Sequence, residues 1–383
     1  MLCAAVVAVL AVWFAGTAAV PALLAEARIT PAQAGWLTGA VQLGFVAGTL
    51  ISAVLGLADR IDNRLLFAAC AADAGLATLV LPLVDPAGFW ALSLRFLAGA
   101  SVAGVYPVAM KLASGWATPG AGGDLGLLIG LVVGAVTLGS AVPHAIPPLL
   151  GLPDWRLVFF VAGALALLGA GLIFAFRPGP IVVRRPPFRP AQALLAFQDP
   201  GLRLANLGYL GHMWELYAMW AWVGLWLAGV GYGGLATFAV VGIGAVGCVA
   251  AGVLADRWDR AGTAALSMLV SGSCAVIAVP AANLAPVLGL LVALVWGLAV
   301  VADSAQFSAS VVKLSPPSVV GTMLTVQTCL GFLLTVVMIR AVPALADRVG
   351  WQGAFAVLAL GPALGAMAML RLRPILNAKE SEP

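Results

Sequence analysis

The chain has 383 residues, of which 63% are hydrophobic and 9% are charged, and its mean hydropathy is +1.08. Soluble domains carry about a quarter of their residues as Asp, Glu, Lys or Arg, so this composition excludes an ordinary soluble enzyme or nucleic-acid-binding domain. The net charge of +4 is small, and it is informative mainly through where the basic residues lie.

Long apolar runs divide the chain into twelve predicted membrane-spanning helices. A bilayer core about 30 Å thick needs roughly 20 apolar residues per helix. Runs of this kind lie at residues 2–24, 31–56, 65–83, 88–112, 125–149, 155–176, 204–229, 234–254, 264–283, 286–312, 319–345 and 350–370. The runs are continuous rather than alternating, which excludes a membrane β-barrel. We therefore predict an all-α membrane protein.

The first run is predicted to be a true span rather than a cleaved signal peptide. No basic segment precedes it, and its apolar stretch from Met1 to Leu24 is longer than the apolar core of a signal peptide.

Neither a cofactor nor a metal is predicted. The sequence has no P-loop for ATP and no HExxH zinc motif, and His212-x-x-Glu215 alone is too short to indicate a metal site. The cysteines all lie inside apolar runs without metal-ligand spacing, and we interpret them as small packing residues; they are Cys3, Cys70, Cys248, Cys274 and Cys329.

The basic residues predict the topology. If Met1 is cytoplasmic, most of the 19 Lys and Arg residues fall in cytoplasmic loops, the linker and the tail, as the positive-inside rule requires. Residues 177–203 are basic and rich in proline, which favours a linker on an anionic membrane surface over a nucleic-acid-binding arm. We predict six-helix bundles at residues 1–176 and 204–383, the latter ending in a short cytoplasmic tail.

A short phrase occurs once in each half of the chain. Leu57-Ala58-Asp59-Arg60, followed by Asp62, recurs as Leu254-Ala255-Asp256-Arg257, followed by Asp259. The copies lie 197 residues apart (256 − 59), and each holds the first charges after an apolar run. Such a repeat is typical of a duplicated transporter bundle whose halves rock about a central site.

The repeated loop resembles a signature of the major facilitator superfamily. Gly252-Val253-Leu254-Ala255-Asp256-Arg257 resembles its loop motif G-x-L-a-D-r-x-G-r, and Arg95-Phe96-Leu97-Ala98-Gly99 resembles its R-x-x-x-G element. Gly104-Val105-Tyr106-Pro107 is similar to bacterial nitrate/nitrite and cyanate-type porters. The resemblance implies twelve transmembrane helices in two six-helix pseudo-symmetric bundles, in a bacterial inner membrane with both termini cytoplasmic.

The charged residues of the two loops have two interpretations. Asp59, Arg60, Asp256 and Arg257 are candidate gating residues, because carboxylates can bind a neighbouring helix N-terminus and arginines can pair with acids across the bundle in one rocked state. Alternatively, the arginines are only positive-inside anchors.

Ionisable residues inside the spans give the strongest functional signal, since each costs several kcal/mol unless paired or hydrated. They are Asp73, Arg95, His212, Glu215 and Asp303. The resemblance implies that spans 1, 4, 7 and 10 line a central cavity, and Arg95, Glu215 and Asp303 fall on spans 4, 7 and 10 respectively.

The seventh span carries a periodic face. His212, Glu215, Met219, Trp222 and Trp226 follow a 3-4-3-4 spacing and therefore share one side of a helix. His212 and Glu215 are candidates for a proton-exchanging pair. The aromatic residues either wall a substrate cavity or pack on neighbouring helices.

Three other polar positions leave alternatives open. Arg95 is suited to hold a carboxylate or small oxyanion, or it pairs with Asp73. Asp303 shares a polar face with Gln306 and serves either as a proton relay or in helix–helix hydrogen bonding. His144 is interpreted as a packing or rim histidine.

From these features we expect a proton-coupled secondary transporter of a small solute, with organic and inorganic anions as candidates. The expected substrate-binding residues are Arg95, Tyr106, Glu215, Met219 and Trp222. The expected proton-coupling residues are Asp73, His212, Glu215 and Asp303.

The alternatives are a multidrug or metabolite efflux pump and, remotely, a non-transporting sensor or intramembrane enzyme. We expect a monomer whose partners are the solute, protons and the lipid bilayer, with no nucleic acid and no catalytic residues.

Overall fold

The computed structural model describes residues 1–117, 125–152, 154–181 and 188–380. Within these ranges the chain forms α-helices and short 3-10 turns, without β-strands. We group the long helices of the described residues into twelve segments. The first six are α1 Leu2–Ala25, α2 Pro31–Leu55, α3 Asn63–Leu83, α4 Phe89–Ser114, α5 Gly126–Leu150 and α6 Trp155–Ala175.

The remaining segments are α7 Pro200–Gly229, α8 Gly234–Arg257, α9 Arg260–Leu284 and α10 Pro286–Leu314, followed by helices at Val320–Leu358 and Leu360–Glu380. Helical geometry is interrupted at Gly350, where φ is 70° and ψ is 172°. We call the part before Gly350 α11, and the part after it together with Leu360–Glu380 is α12. Short helices at Leu57–Arg60 and Leu195–Gln198 lie in the connections.

Ten helices of the described residues are long and apolar enough to cross a membrane, so this is a multi-pass membrane protein. One of the ten, Val320–Lys379, contains the break at Gly350. The 30-residue helix α7 is not among them, and its polar residues Asn206, His212 and Glu215 lower its hydropathy. The predicted number of twelve spans therefore stays a prediction.

The second aspartate of each repeated loop begins the helix that follows. A carboxylate oxygen of Asp62 accepts a hydrogen bond from the backbone N–H of Arg64 at 2.8 Å, and Asp259 accepts one from Gly262. An aspartate at this position satisfies N–H groups that the first helical turn leaves without partners. The two halves thus share a helix-capping aspartate as well as the repeated sequence of the loop.

The segments pack mainly within each half of the sequence. In residues 1–176, α1 packs on α5 and α6, α2 on α4, and α3 on α6. In residues 204–380, α7 packs on α12 and α11, and α9 packs on α10 and α12. Contacts between the halves are concentrated where α2 meets α11 and where α5 meets α8.

Glycines bring corresponding helix pairs into backbone contact in both halves. A Cβ added at Gly44 or Gly99 would lie 1.9 or 2.0 Å from a carbonyl oxygen across the α2–α4 contact. At Gly247 and Gly297, the same atom would lie 2.0 and 1.7 Å from a carbonyl oxygen across the α8–α10 contact. Close backbone approach of this kind is how small residues stabilise helix packing in membranes.

The Gly99→Ala substitution should destabilise the protein, because the new methyl group would collide with the Val41 carbonyl, which is backbone and cannot rotate away. Overpacking of this kind costs about 1–3 kcal/mol. We expect a lower unfolding temperature for the purified protein in detergent. Gly171→Ala in α6 is the matched control, since nothing lies within 4 Å of its Cβ position. Equal unfolding temperatures for both variants would contradict the close approach of α2 and α4.

Candidate functional site

Four buried aromatic rings meet where the two halves of the chain face each other. Trp13 of α1 lies with its ring centroid 5.0 Å from Phe45 of α2, 5.8 Å from Tyr217 of α7 and 5.6 Å from Phe332 of α11. Phe45 and Phe332 are 4.3 Å apart. We call Trp13, Phe45, Tyr217 and Phe332 the central aromatic cluster. Each half contributes two of its rings.

A second contact extends the cluster along α1 and α7. Phe14 stacks on Tyr217 at 6.0 Å and meets Trp220 edge-on at 5.6 Å. The indole N–H groups of Trp13 and Trp220 are buried and have no hydrogen-bond partner among the described residues. Buried donors of this kind are uncommon, and each calls for an explanation such as an unseen ligand or water.

Gln42 lies on α2 about one helical turn before Phe45 of the central aromatic cluster. It is 0% exposed, and neither its amide nitrogen nor its amide oxygen has a partner among the described residues. The hydroxyls of Thr17 and Thr38 are 2.6 Å apart and fix the register of the antiparallel helices α1 and α2. Trp13 and Gln42 each lie one helical turn from that contact toward the end where α1 begins, so they share a level of the bundle.

Three phenol groups approach the same region from both halves. Tyr106 of α4 lies in the neighbourhood of Tyr209 and Tyr217 of α7. None of the three hydroxyls hydrogen-bonds to another described residue. Tyr106, an expected substrate-binding residue, therefore lies near the cluster.

The periodic face of α7 is directed into the second half of the chain. The indole N–H of Trp222 donates to the Ile339 carbonyl of α11 at 2.8 Å, and Trp226 meets Phe355 at 5.6 Å. Met219 is fully buried. These contacts are those of the packing interpretation. The aromatic residues of α7 that meet the first half of the chain are Tyr217 and Trp220.

Glu215 is buried among neutral donors. One carboxylate oxygen accepts a hydrogen bond from the Trp296 indole of α10 at 2.7 Å, and the other accepts one from the Ser271 hydroxyl of α9 at 2.8 Å. The side chain is 1% exposed. No ion pair joins Glu215 to His212 in the described residues, so the two do not form the predicted pair in this structure.

His212 contacts Asp303 instead. Its Nδ1 lies 2.8 Å from a carboxylate oxygen of Asp303, and its Nε2 lies 3.0 Å from the Ser304 hydroxyl. Both His212 and Asp303 are 2% exposed. The residues shown to be in contact are thus the histidine of α7 and the carboxylate of α10.

Asp303 lies at a break in α10, and a similar break occurs in α4. Helical geometry is interrupted between Ala299 and Ser304 in α10 and between Val102 and Tyr106 in α4. The 197-residue offset that relates the two loops also relates Tyr106 to Asp303 (303 − 106). Discontinuous helices at corresponding positions of two halves are typical of substrate and ion sites in transporters.

Arg95 is buried and binds backbone carbonyls. Its Nε donates to Leu37 of α2 at 2.9 Å, and its Nη atoms donate to Val12 and Trp13 of α1 at 2.7 and 2.6 Å. The residue is 0% exposed. Asp73 instead accepts a hydrogen bond from Ser101. In this structure Arg95 therefore ties α1, α2 and α4 together rather than pairing with Asp73.

The two repeated loops lie where the halves meet, at the end of the bundle where α1 begins and α12 ends. Asp59 pairs with Lys111, and both line a cavity of about 120 Å³ whose other residues include Thr325 of α11. Asp256 contacts Arg260 at 3.6 Å and abuts Gly126 at the start of α5. One aspartate of each loop is thus placed beside the opposite half.

The arginines of these loops are placed differently. Arg60 is exposed, and Arg257 lines an open groove along α8.

No group of three His, Cys, Asp or Glu side chains in the described ranges could hold a metal ion.

Sequence reasoning missed most of the central aromatic cluster. Trp13, Phe45 and Phe332 lie inside apolar runs, where aromatic residues are ordinary core residues. Gln42 offered a signal, because it is an uncharged polar side chain near the middle of an apolar run.

Comparisons with known proteins agree with this architecture. The Major Facilitator Superfamily matches residues 1–338. A niacin transporter, NiaP, from Acinetobacter baylyi is 28% identical over 151 residues, which are 38% of this chain and 32% of the relative. The matched stretch therefore spans about a third of that relative's length. Because the superfamily match covers most of its helices, this chain belongs to the Major Facilitator Superfamily of membrane transporters.

Proposed function

We propose that the protein is a proton-coupled secondary transporter of a small organic anion with a planar or apolar body. The observation that carries this proposal is the central aromatic cluster together with Gln42. Aromatic faces from both halves offer stacking surfaces, and the unpartnered amide and indole groups offer hydrogen bonds to a ligand carboxylate. A ligand there would contact both halves of the chain.

A site built from two halves fits alternating access. Opening one side requires the α2–α11 or the α5–α8 contacts to separate at that end. Contacts between the halves that would break during such an opening lie at both ends of the bundle. Asp256 abuts α5 at the end where α1 begins, and the Arg340 guanidinium lies 4.1 Å above the Trp36 ring at the opposite end. In this proposal they act as gates, and Asp59 serves with Lys111 on the same side as Asp256.

The niacin transporter supports the class of substrate. Niacin is a small aromatic carboxylic acid, and a ligand of that kind suits an aromatic cluster with amide donors. The similarity covers 38% of this chain, so it supports the proposal without deciding which acid is carried.

Proton coupling is assigned to the polar groups of the second half. Glu215 is held by two neutral donors, and an ionised carboxylate without a cation is costly in an apolar medium. Asp303 and His212 lie 2.8 Å apart, and a small rotation of the imidazole ring would form the hydrogen bond along which a proton can pass. Helix α7 carries Glu215 and His212 on one side and Tyr217 on another. A change in the protonation of Glu215 or His212 that moves this helix therefore also moves Tyr217 of the central aromatic cluster.

The organisation around this site is proposed as follows. Residues 1–176 and 204–383 form two bundles that move against each other, and residues 177–203 link them. The protein lies as a monomer in a bacterial inner membrane with both termini in the cytoplasm. The backbone N–H of Arg189 donates to the Thr322 hydroxyl of α11 at 2.9 Å, which holds the linker against the second bundle.

An efflux pump for apolar compounds is the second candidate. The six aromatic residues around α1 and α7 favour it, because such surfaces bind many planar molecules. Growth in the presence of lipophilic cations, with and without the protein, separates the two candidates. Protection by the protein would favour efflux.

Gln42→Leu should weaken binding of niacin, used as the probe acid, about tenfold or more. The substitution removes both amide groups while keeping the volume similar, and a lost hydrogen bond to a charged group costs about 1.5–3 kcal/mol. Binding to purified protein measures the effect. Gln352→Leu, an exposed position, is the matched control. Equal affinity of Gln42→Leu and the wild type would remove Gln42 from the site.

Glu215→Gln should abolish niacin accumulation driven by a pH gradient in proteoliposomes but leave exchange of niacin across the membrane intact. The amide can keep a hydrogen bond but cannot release a proton. Glu26→Gln, in the exposed loop after α1, is the control and should accumulate niacin normally. Gradient-driven accumulation by Glu215→Gln at the wild-type level would exclude Glu215 from coupling.

A further inference from the structure

A second cavity lies between the halves, near the end of the bundle opposite the termini. Its volume is about 290 Å³, and α1, α5, α6, α7 and α8 all contribute to its wall. Thr17 and Ala221 line it, and they lie one helical turn from Trp13 and next to Trp220 respectively. The cavity therefore adjoins the central aromatic cluster on the path toward that end. We call it the outer cavity.

His144 of α5 lines the outer cavity and has no hydrogen-bond partner among the residues that the structure describes. Its side chain is 7% exposed, and its Nε2 is among the buried atoms without a partner in the described residues. The backbone around it is tightly held, because a Cβ at Gly234 of α8 would lie 2.3 Å from the His144 carbonyl oxygen. The backbone that bears the imidazole is thus held at the contact between the halves, and the ring lies beside a space large enough for a small molecule.

The rest of the wall is mainly apolar. The Thr17 hydroxyl already contacts Thr38, while Thr237 and Tyr232 of the α7–α8 region supply two further hydroxyls. Among the residues lining the outer cavity there is no Asp, Glu, Lys or Arg. His144 is therefore the side chain of this wall that can take up a proton when a carboxylate lies against it.

The charged groups nearest the cavity belong to the ends of the neighbouring helices. Glu26 follows α1 and accepts a hydrogen bond from the Trp155 indole at 3.2 Å, and Trp155 lines the cavity. Arg156 of α6 lies 4.6 Å from the Trp155 ring and 3.5 Å from Asp154. These groups have partners of their own. The described parts of α5, α7 and α8 contribute no charged side chain to the wall.

We infer that the outer cavity binds a small monocarboxylic acid together with one proton, with the carboxyl group against His144. The inference rests on the proposed function and names the step at which a proton joins the substrate. An apolar cavity accepts a carboxylate only if its charge is balanced. The pair of His144 and the acid is neutral overall in two arrangements, imidazolium with carboxylate or imidazole with the neutral acid. The two arrangements differ only in which partner holds the proton.

The proton comes from the solution at the open side, and no covalent bond of the substrate changes. From the outer cavity the acid passes one helical turn along α1 and α7 to the central aromatic cluster. His144 thereby determines specificity for acids over neutral analogues of the same shape.

The chain has two histidines, His144 and His212, which makes the inference directly testable. Niacin is added to purified protein in weak buffer near neutral pH, and both binding and proton uptake are measured. We expect about one proton to be taken up per niacin bound by the wild type and by the control variant Gln352→Leu, whose substituted position is exposed. His144→Gln should bind niacin at least tenfold more weakly and take up no proton. Niacinamide, the neutral amide, should bind more weakly than niacin to the wild type and without proton uptake.

A second measurement does not require a His144 variant to fold. ¹³C labelling of the two histidine rings of the wild type reports their protonation by NMR, and the spectrum of His212→Gln identifies which signal belongs to His144. Addition of niacin at constant pH should shift the signal toward imidazolium or hydrogen-bonded imidazole. An unchanged signal with niacin bound would overturn the inference.

The outcomes separate this inference from the proposed function. Equal niacin affinity and proton uptake in His144→Gln and the wild type would overturn the role of His144 and leave acid transport standing. Absence of niacin binding by the wild type, with benzoate and other small acids equally inactive, would overturn both.

Discussion

Three hydrogen bonds from Arg95 organise the first half of the protein. Within a bilayer, every polar group must find its partner inside the protein, and a guanidinium offers five N–H donors in a rigid plane. Arg95 uses them on the carbonyls of Val12, Trp13 and Leu37, so α4 holds α1 and α2 at one level of the bundle. One of those carbonyls belongs to Trp13 itself. The position of the central aromatic cluster therefore depends on Arg95, which binds the backbone of α1 and is not itself a member of the cluster.

The two halves carry different chemistry on a related framework. The first half supplies the fixed cation, Trp13 and the unpartnered Gln42, whereas the second half holds the buried acids Glu215 and Asp303. Helix α7 belongs to both environments, since Tyr217 meets α1 while Glu215 reaches α9 and α10. In the proposed mechanism this helix transmits protonation to substrate binding, because one rigid element bears both kinds of contact.

The sequence predicted the helices well and the site only in part. Apolar runs and the repeated loops locate membrane helices because the bilayer imposes their length and the positions of their first charges. Periodicity placed His212, Glu215 and Trp222 on one side of α7, but it could not tell which neighbour that side meets. The partners of Arg95 are backbone carbonyls, which leave no mark in a sequence. The contact of His212 with Asp303 joins residues 91 positions apart (303 − 212), and spacing along one helix cannot reveal it.

The paired interruptions in α4 and α10 bear on how the duplicated halves diverged. Each interruption leaves carbonyl and N–H groups outside the regular helical ladder at the same depth, so each is a joint about which the shorter piece of helix can tilt. In α4 the piece of helix after the interruption begins with the phenol side chain Tyr106. In α10 the corresponding piece directly follows the carboxylate Asp303. The corresponding positions of the two halves thus carry an uncharged side chain in α4 and an ionisable one in α10. In the proposed mechanism, the interruption in α4 lies on the side of the cargo and the interruption in α10 carries a group that binds the proton.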